Sequence, residues 1–83
     1  MAKIVVYSTA VCPYCDRAKA LLDKKSVSYQ EIRIDEDMDA REEMMQKSGR
    51  RTVPQIFIND ASIGGFDDLH ALDQAGKLDD LLK

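Results

Sequence analysis

The feature that most constrains this chain is a short apolar segment followed closely by the start of a helix. Lys3–Tyr7 reads Lys-Ile-Val-Val-Tyr, a β-branched run typical of a buried strand. Pro13 suits the first turn of a helix, where a missing backbone N–H costs nothing. Ala18 and Leu22 then stand at helical spacing, and the pattern ends near residue 25. A strand that passes into a helix in this way predicts a sheet with helices packed on it.

The rest of the chain alternates between short strands and helices. We predict a strand over Ser26–Ile34, a helix that begins in the acidic segment Asp35–Asp39 and ends at Gly49, a strand over Gln55–Ile58, its antiparallel partner at Ala61–Ile63, a helix capped by Asp67 or Asp68 and ended by Gly76, and a short helix over Leu78–Lys83. The order β-α-β-α-β-β-α predicts an α/β fold, with a four-stranded mixed sheet and helices on both faces. The length of 83 residues predicts a single domain over 1–83.

Composition excludes several classes of function. The net charge of −3 argues against a general nucleic-acid-binding protein. The longest apolar run, Ile4–Tyr7, is far shorter than the roughly 20 residues needed to cross a membrane. The N-terminus has no apolar segment of a signal peptide, so we expect a cytoplasmic protein without a membrane partner. Two cysteines and His70 cannot complete a tetrahedral zinc site within one chain, so we expect no bound metal.

The chemistry of the chain is predicted to lie in Cys12-Pro13-Tyr14-Cys15, at the passage from the first strand to the first helix. A cysteine at a helix N-terminus meets unpaired N–H groups and the positive end of the helix dipole, which stabilise a thiolate. Cys12 is therefore the expected nucleophile. Cys15, one helical turn later, is the expected resolving thiol. Two other interpretations remain open on the motif alone: half of a zinc site shared with a partner chain, and a carrier of soft metal ions.

Four motifs in this order resemble the glutaredoxin family, and most closely its small bacterial class with a Cys-Pro-Tyr-Cys active site. They are Tyr7 with its strand, the cysteine motif, Thr52-Val53-Pro54, and the segment Gly64-Gly65-Phe66-Asp67-Asp68. The resemblance covers essentially the whole chain. It implies a thioredoxin fold and glutathione-dependent reduction of disulfides by an enzyme that we expect to be a monomer.

The resemblance also implies a site for glutathione. Pro54 would be a cis residue beside the cysteines, and the backbone of Val53, after Thr52, would pair with glutathione as with an added strand. The γ-glutamyl end would lie at Gly65, Phe66, Asp67 and Asp68, and Tyr14 would line the edge of the groove.

Three positions bear on how closely the site follows the family pattern. Phe66 stands where the family often has a small or polar residue, and Thr9 stands where it often has a lysine for the glycyl carboxylate of glutathione. Arg41 matches another family position for this carboxylate, and a guanidinium suits a carboxylate well. Arg50 and Arg51 add positive charge before Thr52.

The implied partners are glutathione as co-substrate and proteins that contain disulfides or bound glutathione; ribonucleotide reductase is a usual partner of the family. Two alternatives stay open. One is a redoxin reduced by thioredoxin reductase. Thr9 argues for this alternative, whereas Gly65, Asp67, Asp68 and Arg41 argue against it. The other is a carrier of a [2Fe–2S] cluster ligated by glutathione between two protomers.

Overall fold

We describe a computed structural model of the chain, which defines residues 2–82. Its elements are β1 (Ile4–Ser8), α1 (Pro13–Lys24), β2 (Gln30–Arg33), α2 (Met38–Ser48), β3 (Gln55–Ile58), β4 (Ala61–Gly64), α3 (Phe66–Gln74) and α4 (Leu78–Leu82). This order confirms the predicted arrangement. Lys83, the last residue of the predicted final helix, lies outside the described residues. No helix within residues 2–82 has the length and hydropathy needed to cross a bilayer.

The four strands form one mixed sheet in the order β2-β1-β3-β4. β1 pairs with β2 in parallel, and α1 supplies the crossover between them. β1 also pairs with β3 in antiparallel register, with Val6 opposite Ile56 and Tyr7 opposite Gln55. The C-terminal end of β1 and the start of β3 therefore meet at one edge of the sheet. The cysteine motif and Pro54 adjoin this edge in the chain.

Alternation along β1 divides the core into two layers. Ile4 and Val6 face α1, α3 and α4, where Leu22, Leu69 and Leu78 are fully buried. Tyr7 faces α2 and packs with the fully buried Met44 and with Phe57. Period-two alternation places successive side chains on opposite faces of a strand, so helices cover both faces as predicted.

The second strand is shorter than the predicted Ser26–Ile34. Ser26 has a φ of 59°, which is left-handed backbone rather than strand. The Val27 N–H bonds back to Leu22 O and so belongs to the end of α1. Pairing with β1 extends only from Gln30 to Arg33. The apolar Val27 and Tyr29 pack against the core without strand geometry.

The predicted cap of α3 is also corrected. Neither Asp67 nor Asp68 occupies the N-cap position, which belongs to Gly65 in an extended conformation. Asp68 stands at the third helical position and reaches back, so that its carboxylate accepts the Gly65 N–H at 3.0 Å. A carboxylate at the N-cap accepts an N–H of the first turn, whereas one at the third helical position accepts the N-cap N–H. An aspartate near a helix start suits either role, so the sequence pattern does not distinguish the two. The other helix signals are confirmed: Gly49 ends α2 in left-handed geometry, with φ 73°.

Candidate active site

The two cysteines occupy different environments at the start of α1. Cys12 is the N-cap residue and is partly exposed, whereas Cys15 lies in the first turn and is fully buried. Their Cα atoms are 5.1 Å apart, and the two sulfurs form a disulfide. The Cys15 backbone N–H donates to Cys12 Sγ over 3.1 Å. The exposed sulfur thus lies at the helix N-terminus, where a thiolate is stabilised.

The loop before Cys12 is held by an acidic residue that follows β2. Asp35 accepts the Ala10 N–H at 3.1 Å. Arg33 donates to both oxygens of the same carboxylate, each at 2.8 Å. The Arg33 guanidinium is the main reason why the pKa of Asp35 falls to about 2. The carboxylate is therefore ionised at neutral pH and holds the loop that leads to Cys12.

The segment 52–54 lies directly beside Cys12. The Val53–Pro54 peptide bond is cis, as the resemblance implied. Cys12 Sγ lies 3.9 Å from the Val53 carbonyl oxygen. No group of residues 2–82 accepts the Val53 N–H. A partly exposed backbone segment with an unpaired donor therefore borders the sulfur.

The start of α3 lies against the same segment. A Cβ added at Gly65 would lie 3.4 Å from the Pro54 carbonyl oxygen, which shows how near the two backbones are. Arg50 donates to the Asp68 carboxylate at 2.9 Å, so the ends of the two segments are also linked by an ion pair. The hydrogen bond from Arg50, followed by that from the Gly65 N–H, lowers the pKa of Asp68 below its usual value.

Together these segments enclose a cavity of about 190 Å³. Its lining is Tyr14, Arg50, Thr52, Val53, Pro54, Gly65, Phe66, Asp67 and Asp68. Eight of these are the residues that the resemblance assigned to glutathione, and Arg50 is the addition. Their roles in binding stay predictions, but the fold brings them to one place beside Cys12.

Arg41 does not line this cavity. It lies on a separate hollow of about 420 Å³ at the start of α2, together with Met38 and Arg51. Arg51 lines this hollow, whereas its neighbours Arg50 and Thr52 line the cavity beside Cys12. A larger cavity of about 570 Å³ lies over the α2 face of the sheet, beside Tyr7 and Phe57, and includes none of the predicted site residues.

The sequence interpretation missed a row of rings along one wall of the cavity. The Phe66 ring centroid lies 6.3 Å from that of Tyr14 and 5.6 Å from that of His70, on which it stacks. The Arg17 guanidinium lies 5.2 Å from the Tyr14 centroid on the outer side. The spacing of Phe66 and His70, four residues apart on one helix, was the signal that predicts their contact. The bulky residue at position 66 therefore joins α3 to Tyr14 of the cysteine motif.

Comparison with known proteins agrees with this geometry. A family model described as "Glutaredoxin" matches residues 4–63. Glutaredoxin 3 of Escherichia coli K12 is 59% identical over 83 residues, which is 100% of both chains. A glutaredoxin of Pseudomonas aeruginosa is 55% identical and covers 99% of this chain and 98% of its own.

The chain belongs to the glutaredoxin family. Family members are thiol–disulfide oxidoreductases, and the Cys12–Cys15 pair is placed for that reaction. Solved structures show the same fold. The buckwheat glutaredoxin–glutathione complex superposes with a TM-score of 0.89 at 37% identity, covering 98% of this chain and 76% of that one. Glutaredoxin from Brucella melitensis superposes with a TM-score of 0.88 at 49% identity, covering 100% and 90%. The predicted thioredoxin fold is thereby confirmed.

Within residues 2–82, no group of three or more potential metal-ligating side chains comes together.

Proposed function

We propose that this glutaredoxin takes its electrons from glutathione and reduces both protein–glutathione mixed disulfides and protein disulfides. The observation that carries the proposal is the cavity beside Cys12, which has unpaired backbone donors on two sides. One is the Val53 N–H, and the others are in the first turn of α3, where no side chain caps the helix. The buckwheat relative, which shares the fold, was solved as a complex with glutathione.

Each end of glutathione has a partner of suitable chemistry. Glutathione is a peptide, so its backbone is suited to pair with Val53 as with an added strand. Its γ-glutamyl carboxylate suits the N-terminus of α3, where backbone N–H groups and the helix dipole favour an anion. Asp67 is exposed and makes no ion pair or hydrogen bond within residues 2–82, which leaves its carboxylate for the γ-glutamyl amine. Arg41, in the separate hollow at the start of α2, is assigned to the glycyl carboxylate.

The reaction follows from the two sulfur positions. The Cys12 thiolate attacks the glutathione sulfur of a mixed disulfide, so that a Cys12–glutathione disulfide forms and the protein leaves as a thiol. A second glutathione thiolate attacks that adduct, which releases oxidised glutathione and regenerates the Cys12 thiolate. With a protein disulfide, the Cys12 thiolate attacks one substrate sulfur, so that a Cys12–substrate disulfide forms and the other substrate cysteine leaves as a thiol. Cys15 then attacks the Cys12 sulfur, which releases the first substrate cysteine as a thiol and forms the Cys12–Cys15 disulfide. Two glutathione molecules reduce this disulfide and become oxidised glutathione.

The test measures reduction of a glutathionylated peptide by glutathione, coupled to NADPH through glutathione reductase. The proteins are wild type, Cys12→Ser and Cys15→Ser. We expect wild type to be active, Cys12→Ser to lose activity by at least about a thousandfold, and Cys15→Ser to retain it. Reduction of a protein disulfide should need both cysteines.

A parallel reaction replaces glutathione and its reductase with thioredoxin reductase. Activity of the wild type only in that reaction would overturn glutathione dependence and leave the oxidoreductase assignment in place. Equal activity of Cys12→Ser and wild type would overturn the role of Cys12 as nucleophile.

A further inference from the structure

Gln55 is a buried polar side chain that the proposed reaction does not use. It is the first residue of β3, lies opposite Tyr7 and has no exposed surface. Its amide nitrogen donates to the Thr52 carbonyl oxygen at 2.9 Å and contacts Thr52 Oγ1 at 3.3 Å. Its amide oxygen is buried and has no hydrogen-bond partner. A buried polar atom without a partner destabilises the fold, so stability does not explain why a glutamine stands here. A role in the site does.

The orientation of the Gln55 amide is determined by its partner. A backbone carbonyl only accepts hydrogen bonds, so the nitrogen must face Thr52 O and the oxygen must point elsewhere. Rotating the amide by half a turn would place two acceptors together. The unpaired oxygen is thus the consequence of holding the Thr52 carbonyl.

Holding that carbonyl also orients the Val53 N–H. The two groups belong to one peptide plane, and the Thr52–Val53 bond is trans. In a trans peptide the C=O and the N–H point in opposite directions. Because buried Gln55 draws the Thr52 carbonyl inward, the Val53 N–H points outward, where no protein group accepts it. Thr52 and Val53 both line the cavity beside Cys12.

We propose that Gln55 is a positioning residue, which orients the Thr52–Val53 peptide so that the Val53 N–H is presented to the peptide backbone of glutathione. The inference rests on the proposed function, since it assigns a support to the segment that receives the ligand. Gln55 itself touches neither ligand nor sulfur. The hydrogen bond from its nitrogen favours ligand binding, whereas the unpaired oxygen of the same amide lowers the stability of the fold.

The experiment compares wild type with Gln55→Leu, and with Gln55→Met in case the branched side chain does not fold. Steady-state reduction of a glutathionylated peptide should show a KM that is roughly two- to tenfold higher with kcat little changed, as expected for one lost orienting hydrogen bond. Reduction of the Cys12–Cys15 disulfide by dithiothreitol, which has no peptide backbone, should keep the wild-type rate. The thermal midpoint should change little, because removal of the buried unpaired oxygen offsets loss of the hydrogen bond to the Thr52 carbonyl.

Ser8→Ala is the matched control. Ser8 and Gln55 are the buried polar residues of the described core, and the Ser8 hydroxyl donates to Glu31 of β2 at 2.6 Å rather than to segment 52–54. This variant should lose stability and keep the wild-type KM, which is the opposite pattern.

The outcomes separate the two proposals. A wild type inactive with glutathione overturns the proposed function and this inference with it. An active wild type with an unchanged KM in both Gln55 variants overturns only the inference. A Gln55 variant that loses thermal stability and also slows in the dithiothreitol reaction assigns Gln55 a general structural role and likewise overturns it.

Discussion

Two helix N-termini meet at the active site, and they are built differently. At α1 the N-cap residue is Cys12, whose own sulfur accepts the first-turn N–H of Cys15. At α3 the N-cap residue is Gly65, which has no side chain to offer. The first arrangement directs helix N–H groups at a sulfur of the protein. The second leaves them directed at whatever enters the cavity.

Each N-terminus is nevertheless held by an aspartate that pairs with an arginine outside the helix. Asp35, paired with Arg33, accepts the Ala10 N–H before α1. Asp68, paired with Arg50, accepts the Gly65 N–H at the start of α3. The fold thus presents the same helix property twice, once at the Cys12 sulfur and once at the cavity beside it, with similar supports.

The largest expected effect on the α3 terminus comes from Gly64→Ala. Gly64 has a φ of 111°, and an added Cβ would lie 2.8 Å from Asp68 Cγ and 3.1 Å from an Arg50 nitrogen. The Asp68 carboxylate cannot move away without breaking its bonds to Gly65 and Arg50. We expect roughly 2–4 kcal/mol lower free energy of unfolding by chemical denaturation.

Gly49→Ala is the control for that substitution. Gly49 also has a positive φ, 73°, but an added Cβ meets nothing within 4 Å. Gly49→Ala should lower the free energy of unfolding by about 1–2 kcal/mol, from backbone strain alone. Equal losses for the two variants would show that crowding against Asp68 contributes nothing.

A smaller effect separates the two aspartates of α3. Asp68→Ala should lower the free energy of unfolding by about 1 kcal/mol, because the Gly65 N–H loses its acceptor. Asp67→Ala should lower the free energy of unfolding by about half of that or less, since the Asp67 side chain has no hydrogen bond or ion pair within residues 2–82. In the glutathione assay the order should reverse, with the larger rise in KM for Asp67→Ala. A larger KM effect from Asp68 would assign the amine to that carboxylate instead.

The smallest effect concerns the support that Asp35 gives to the N-terminus of α1, and this support is lost in acid. The pKa of Asp35 is lowered from 3.8 to about 2, chiefly by Arg33. Its ionised form therefore stabilises the fold above pH 3.8, and this contribution is lost as the pH falls from 3.8 towards 2. Denaturant unfolding should show Asp35→Asn to be less stable than wild type at pH 6, with the difference closing over that range. A difference that persists unchanged at pH 2 would contradict an electrostatic role.

Local patterns predicted most of the fold and the position of Cys12 at the start of α1. Pro13 and the glycines at 49 and 76 act through their own backbone preferences, which is why helix ends were found close to their predicted places. The start of β2 was missed because pairing with the five-residue β1, not the apolar content of 26–29, decides where the strand begins. The cap of α3 was missed because two adjacent aspartates satisfy the same sequence rule and only one reaches Gly65.

The sequence by itself determined the order of elements, the position of Cys12 at a helix start and the family of the chain. These depend on residues near one another in the chain or on ordered motifs. Which distant groups meet depends on the tertiary structure: Cys12 with Val53, Arg50 with Asp68, and Phe66 with Tyr14. Such contacts depend on strand register and on how helices pack across the sheet. One-residue differences there move a side chain to the other face, so local preference cannot settle them.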